Sequence, residues 1–321
     1  MTVPAPNPGV DDAARVLRTL ELTVTKRLAG VLHGDIRGLL PGSGSELADT
    51  RAYEPGDDVR RIDWSASARS GTTQFRTTVE DRELTVYLII DVSGSMEFGS
   101  VVTSKRQIGI AVASAFGFLA ARGSNRVGGG IHAGESWMWC EPRSGRDAVR
   151  ALLHHALVVK PIGRGSLEET LETVVRSTRR RGVVVVVSDF ADDSAWGVPL
   201  RALGLTHDLV AVEVTDPREQ DLIAAGVVVF EDPETGAQRT VDTSDPKVRA
   251  AFASARAARR ADVARTIAES GGDLMVVAAG GAVVSPDGTG YDVTAGDDWL
   301  TQMVSWLTVR RARIARTGAS R

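Results

Sequence analysis

Asp91, Ser93 and Ser95 occupy alternate positions at the end of the stretch V-Y-L-I-I-D-V-S-G-S-M, residues 86–96. A carboxylate and two hydroxyls so spaced can converge on one hard cation, because magnesium and calcium take oxygen donors and magnesium keeps part of its water shell. Two later segments offer oxygens of the same kind. Ser166 follows the glycines of P-I-G-R-G-S, and Asp189 follows five valines and a serine. Each is weak alone: D-x-S-x-S is short, and a serine before a helix is first of all a capping residue. Three such segments at the ends of separate strands and loops are a stronger signal.

The elements around them must bring these segments to one place. Residues 86–90 are an unbroken apolar run, which predicts a strand buried on both faces of a parallel sheet. An apolar helix is expected over 105–121, so the polar turn between them falls at the carboxyl edge of the sheet, where open α/β folds hold ligands. Further strands are expected at 75–90 (one long or two short, with a break at Glu80-Asp81-Arg82-Glu83), 126–131, around 137–140, at the valine run, at 207–214 and at 273–278. Helices are expected at 146–158, after Ser166, from Pro246 with Asp245 as its cap to about 270, and over 297–313. Strands alternating with helices predict a doubly wound, mostly parallel α/β sheet. Residues 227–231 and 238–241 read as an inserted β-hairpin. At the start, residues 1–10 read as a disordered tail, and Asp11 or Asp12 as the cap of a helix running to 31. The polar segment that follows carries Tyr53, Ile62 and Trp64, expected to anchor it to a core, and a charged group of Asp57, Asp58, Arg60, Arg61 and Asp63 suited to ion pairing.

Composition narrows the function classes. The 321 residues are 43% hydrophobic and 25% charged, with a formal net charge of -3, so no overall charge favours nucleic acid or an anionic membrane. One cysteine, Cys140, excludes an internal disulfide framework and suits a reducing compartment. No apolar stretch approaches the ~18 residues of a membrane span, and the start lacks signal-peptide character, so a soluble cytoplasmic protein is expected. Enzyme templates fit poorly. A haloacid-dehalogenase-type phosphatase needs a carboxylate where Ser93 stands, no G-x-S-x-G surrounds either serine, and Ser100 occupies the lysine position of a phosphate loop. Gly42-x-Gly44 is not a dinucleotide fingerprint, since Leu47 replaces its last glycine.

The D-x-S-x-S turn, the Ser166 loop and Asp189 together resemble the metal-ion-dependent adhesion site of von Willebrand factor A domains. That resemblance implies a magnesium ion (manganese or calcium as alternatives) held by Asp91, Ser93, Ser95, Ser166 and Asp189, with Ser166 where the family has threonine. It also implies an acidic side chain from a protein partner completing the shell. Two carboxylates and neutral hydroxyls barely compensate a dication, which leaves such an ion electrophilic. No base to activate water is evident.

The segments R-A-Y-E-P-G-D-D-V-R-R-I-D-W-S-A-S-A-R-S-G, V-E-D-R-E-L, E-D-P-E-T-G, V-D-T-S-D-P and Gly296-Asp297 resemble bacterial domain-of-unknown-function 58 proteins, over about 12–313. Members of that family are often encoded beside MoxR-type AAA+ ATPases and are thought to help assemble other complexes. The resemblance therefore implies a non-enzymatic adaptor for such an ATPase and an acidic client; the alternatives are a metal-dependent hydrolase using the same Asp/Ser site and a structural scaffold with a stabilising ion. Arg51, Arg60, Arg61 and Arg69 are available to steer that client. The implied organisation is an N-terminal helix and loop region over 1–83, a von Willebrand A-like domain over 84–309 with the hairpin near 227–242, and a basic tail over 310–321.

Overall fold

The computed structural model describes residues 8–31, 50–54, 57–76, 83–99, 103–122, 125–216, 219, 222–232, 236–279 and 298–318. Gly42 and Gly44, the 80–82 break, the hairpin tip 233–235, Gly296-Asp297 and most of the expected N-terminal tail lie outside these residues.

A six-stranded sheet forms the centre, in the order β10-β7-β6-β3-β4-β5. Its strands are β3 (Thr85–Asp91), β4 (Arg126–Ala133), β5 (Ser136–Ser144), β6 (Val183–Ser188), β7 (Asp208–Thr215) and β10 (Asp273–Ala278). All neighbours pair in parallel except β4 and β5, an antiparallel hairpin at one edge. Every residue of β3 and of β6 is buried, as the unbroken apolar runs require. Gly130 in β4 is needed for packing: a Cβ there would meet the Trp137 ring of β5 at 1.8 Å.

Helices cover both faces. On one lie α1 (Pro8–Val31), α3 (Lys105–Ala120), α4 (Arg146–Val158) and α8 (Asp298–Gly318), packed against Val86, Leu88 and Ile90. On the other, α5 (Leu167–Ser177), α6 (Gly197–Thr206) and α7 (Pro246–Glu269) pack against Tyr87, Ile89, Val184 and Val186. The alternation along each strand thus sorts its side chains between two cores. Asp245 caps α7 ahead of Pro246, as expected, and Ser104 closes a capping box with Gln107 at the start of α3. The doubly wound, mostly parallel sheet expected from the sequence is present. Among the described residues, no helix is long and apolar enough to cross a membrane.

Several local expectations are corrected. Helix α1 begins at Pro8, ahead of Asp11 and Asp12, because proline suits a first helical turn. The 50–76 region is a two-stranded ribbon, β1 (Thr50–Ala52) with β2 (Gln74–Arg76), enclosing the short helix α2 (Trp64–Ser70). Its Tyr53 and Ile62 are half-buried, but Trp64 is 71% exposed and is not the core anchor expected of it. Asp58 and Asp63 cap backbone N–H groups of Arg60 and Ala66. The side chains of Arg51 and Arg61 lie outside the description. The expected tail from 310 is helical to Gly318, and Arg310 is buried, donating to Asp208 at 2.7 Å and to Asp273 at 2.6 Å. Its positive charge belongs to the body of the domain. The hairpin insertion is β8 (Val227–Glu231) with β9 (Gln238–Asp242).

Candidate metal site at the carboxyl edge of the sheet

Strand order locates the site. From β3 the chain crosses through α3 to β4 on one side; from β6 it crosses through α6 to β7 on the other. Neighbouring strands whose connections leave in opposite directions open a crevice at their carboxyl ends. Asp91 ends β3 and Ser188 ends β6, so both stand at that crevice.

Asp91 is 5% exposed and fully engaged. Its Oδ1 accepts from the Ser93 N–H at 2.9 Å, and its Oδ2 from the Ser188 hydroxyl at 2.6 Å. Burial pushes the Asp91 carboxyl above its ordinary range; neighbouring His132 pulls it back, and the Asp189 charge adds to the rise. Two carboxylates in mutual repulsion are a place where a dication is favoured. The Ser93 and Ser95 hydroxyls lie 3.2 Å apart, and Ser93 makes no side-chain capping bond to the one-turn helix Gly94–Glu97 that it precedes. Both can turn lone pairs to a common ion. Asp189, just past β6, accepts from the Ala191 N–H at 3.1 Å through Oδ1. Between them Phe190 adopts φ 50°, a left-handed conformation unfavourable for a bulky residue, with its ring buried 5.1 Å from that of Trp196.

Asp189 Oδ2 has a partner that sequence inspection missed. The Lys105 ammonium, 2% exposed, lies 2.7 Å from Asp189 and 2.6 Å from Glu219. Burial would push this ammonium down, but the two carboxylates outweigh it and hold it above its ordinary value. A readable signal existed: Lys105 opens an apolar helix, where the helix dipole disfavours a cation. Ser188 was legible only as part of the strand. His132 pairs in register with Asp91 and shares a 2.9 Å hydrogen bond with Thr170.

Ser166 stands one loop away. It caps α5, accepting from the Glu169 N–H at 3.3 Å, and lines a separate cavity with Glu135, Asp192 and Ser194. Its loop is drawn to the same edge by the Gly134–Ile162 bridge, and a Cβ on Gly165 would lie 2.6 Å from His132 Cε1. No hydrogen bond joins Ser166 to Asp91, Ser93, Ser95 or Asp189 among the described residues. Hydrogen bonds tie Asp91 to Ser93 and Ser188, and Ser93 to Ser95; Asp189 acts on Asp91 through its charge and lines one cleft with Ser95, while Ser166 lines a separate cavity.

No cluster of three or more His, Cys, Asp or Glu side chains suited to a metal occurs among the described residues. The donors present are hydroxyls backed by carboxylates, a set that fits a hard ion retaining water.

Several known proteins are similar to this chain. The chain is similar to the conserved hypothetical protein BatB of Bacteroides thetaiotaomicron, at 14% identity over 71% of this chain and 98% of that one, with a TM-score of 0.42. It is similar to a von Willebrand factor type A protein of Catenulispora acidiphila, at 13% identity over 41% of this chain and 33% of that one, with a TM-score of 0.30. An uncharacterized protein of Mycobacterium tuberculosis is 40% identical over 307 residues, 94% of this chain and 92% of the relative. Residues 49–262 match the model described as protein of unknown function DUF58, and the chain belongs to that family.

Proposed function

We propose that the protein is a non-enzymatic, divalent-metal-dependent protein-binding module. We propose further that it serves as an adaptor for a MoxR-type AAA+ ATPase acting on an acidic client. The observation that carries the first part is the pair of Ser93 and Ser95 hydroxyls beside a buried Asp91 whose oxygens are both held. A bound magnesium ion would supply an electrophilic point for a partner's carboxylate. Asp91, fixed by Ser93 and Ser188, would contribute negative charge without freedom to rearrange. Lys105 shares the Asp189 charge, which lowers the negative charge at the edge and favours an incoming carboxylate. The ATPase part rests on the family resemblance. The exposed Trp64, on a helix capped by Asp63, supports a partner surface in the 51–69 region, since large aromatics anchor interfaces.

A scaffold reading is favoured by one observation, Lys105 itself: an ammonium already neutralises Asp189 and could hold the edge without any ion. Affinity capture from the native cell, with and without chelator and with Asp91→Ala, separates the two. The adaptor loses its ATPase or client in chelator and in Asp91→Ala while circular dichroism stays unchanged. Capture indifferent to both supports the scaffold.

A further inference from the structure

Helix α7 starts at the carboxyl edge of the sheet and runs toward the amino edge, where β10 begins. Only Val263 and Ile267, toward its C-terminal end, are fully buried among its described residues. Under its N-terminal half lies a cleft of about 660 Å³ that begins beside Ser95 and Asp189 and extends to the β8–β9 hairpin. Phe98, Phe230 and Phe252 line it, and so does Glu213 of β7.

Glu213 is unlike the other charges there. It is 5% exposed, on the strand face otherwise filled by Leu209 and Ala211, and no hydrogen bond or ion pair to its carboxylate exists among the described residues. Burial pushes its carboxyl up; Arg260 and Arg256 act on it only through their charge and pull it back. The cations of the cleft have partners already. Lys105 is held by Asp189 and Glu219, Arg256 binds Glu219, and Arg259 binds Asp193; Arg260 has a partner as well. What remains is a buried carboxylate facing a space with aromatic walls. Such a carboxylate is unfavourable unless a cation reaches it, and the faces of aromatic rings attract cations. A guanidinium suits this setting better than an ammonium, because it is weakly hydrated and stacks on rings.

We infer that this cleft receives an arginine side chain of a protein partner, which pairs with Glu213 between the phenylalanines. The inference rests on the protein-binding reading for the identity of the occupant, not for the site. The partner segment would then offer an acidic group at the sheet edge and a basic one in the cleft beside it, a more selective demand than either alone.

Acetyl-arginine amide and acetyl-citrulline amide, which have the same shape but differ in charge, test the site by saturation-transfer NMR on the full chain. Wild type should bind the arginine probe and not the citrulline one. Binding should vanish in Glu213→Gln and persist both in chelator and in Asp91→Ala, so a failure of the ion site leaves this result intact. Glu213→Gln should melt no lower than wild type, since it removes an unpaired buried charge. No arginine binding by wild type, equal binding of citrulline, arginine binding that survives Glu213→Gln, or a Glu213→Gln chain that unfolds would each overturn the assignment. Loss of the probe in chelator or in Asp91→Ala would also overturn it, by moving the contact to the ion site.

Discussion

The Lys105 Nζ atom lies 2.7 Å from Asp189 Oδ2, which gives the carboxyl edge of the sheet a cation of its own. Glu219 grips the same ammonium at 2.6 Å, so one buried charge ties α3 to the segments that follow β6 and β7. Removing one member of a buried pair strands the other. Lys105→Met should lower stability by roughly 3–5 kcal/mol, read from denaturant melts without added metal. The freed Asp189 charge should then attract a dication, so magnesium should recover part of that loss. A melt that magnesium leaves unchanged would separate Asp189 from the ion site.

Arg310 makes the corresponding clasp at the other end of the strands, where β7 and β10 begin. Its guanidinium holds both Asp208 and Asp273. The two acids respond oppositely: burial outweighs the arginine at Asp208 and raises it, whereas at Asp273 hydrogen bonds from Arg310 and Arg313 overcome burial and lower it. Arg310→Ala should cost about 3 kcal/mol by stranding the half-buried Asp208 carboxylate, Asp273 keeping Arg313. Truncation before residue 310 should be similarly harmful; a truncated chain with a wild-type melt would show that the clasp is idle.

Long apolar runs made the central strands legible, because a strand buried on both faces shows as an unbroken run. The helix cap at Asp245 was legible because capping acts over a few residues. The contacts that complete the site were not, since Ser188 reaches Asp91 across 97 residues of sequence and Lys105 reaches Asp189 across 84. Parallel pairing creates that proximity, and no local pattern records it. Arg310 misled for the same reason: within its own segment it is one more basic residue near an end, and its acids lie 37 and 102 residues away. Trp64 shows that aromatic character alone does not imply burial, since a single exposed tryptophan is compatible with the same composition and turn signals.

His207 sets an acid limit. Its ring is buried against Tyr87, at 5.8 Å between centroids, and its Nε2 has no hydrogen-bond partner among the described residues. Burial holds the imidazole below its ordinary value. The unfolded chain therefore takes up the proton first, near pH ~6.5. The histidine's contribution is complete above that pH and is lost as pH falls through it, by at most about 1.4 kcal/mol per pH unit. His207→Phe should make the acid side of the stability profile less steep. An unchanged slope would show that other groups carry it.

Trp64 should matter to partners and not to folding. Trp64→Ala should change stability by no more than about 0.5 kcal/mol, as expected of an exposed side chain, yet weaken capture of the ATPase or client at least tenfold. Charge reversal at Arg60 should slow capture and reduce its dependence on salt. Capture unaffected by either would move the partner surface away from residues 51–69.

The central claim is that Asp91, Ser93 and Ser95 hold a divalent ion on which partner binding depends. Titration with manganese, followed by loss of the free-ion electron paramagnetic resonance signal, tests it most directly. One manganese site is expected in the wild-type chain, displaced by magnesium and absent from both Asp91→Ala and the double variant Ser93→Ala/Ser95→Ala, each still folded. A wild-type chain that leaves the manganese signal untouched, or variants that bind manganese as well as wild type does, would contradict it.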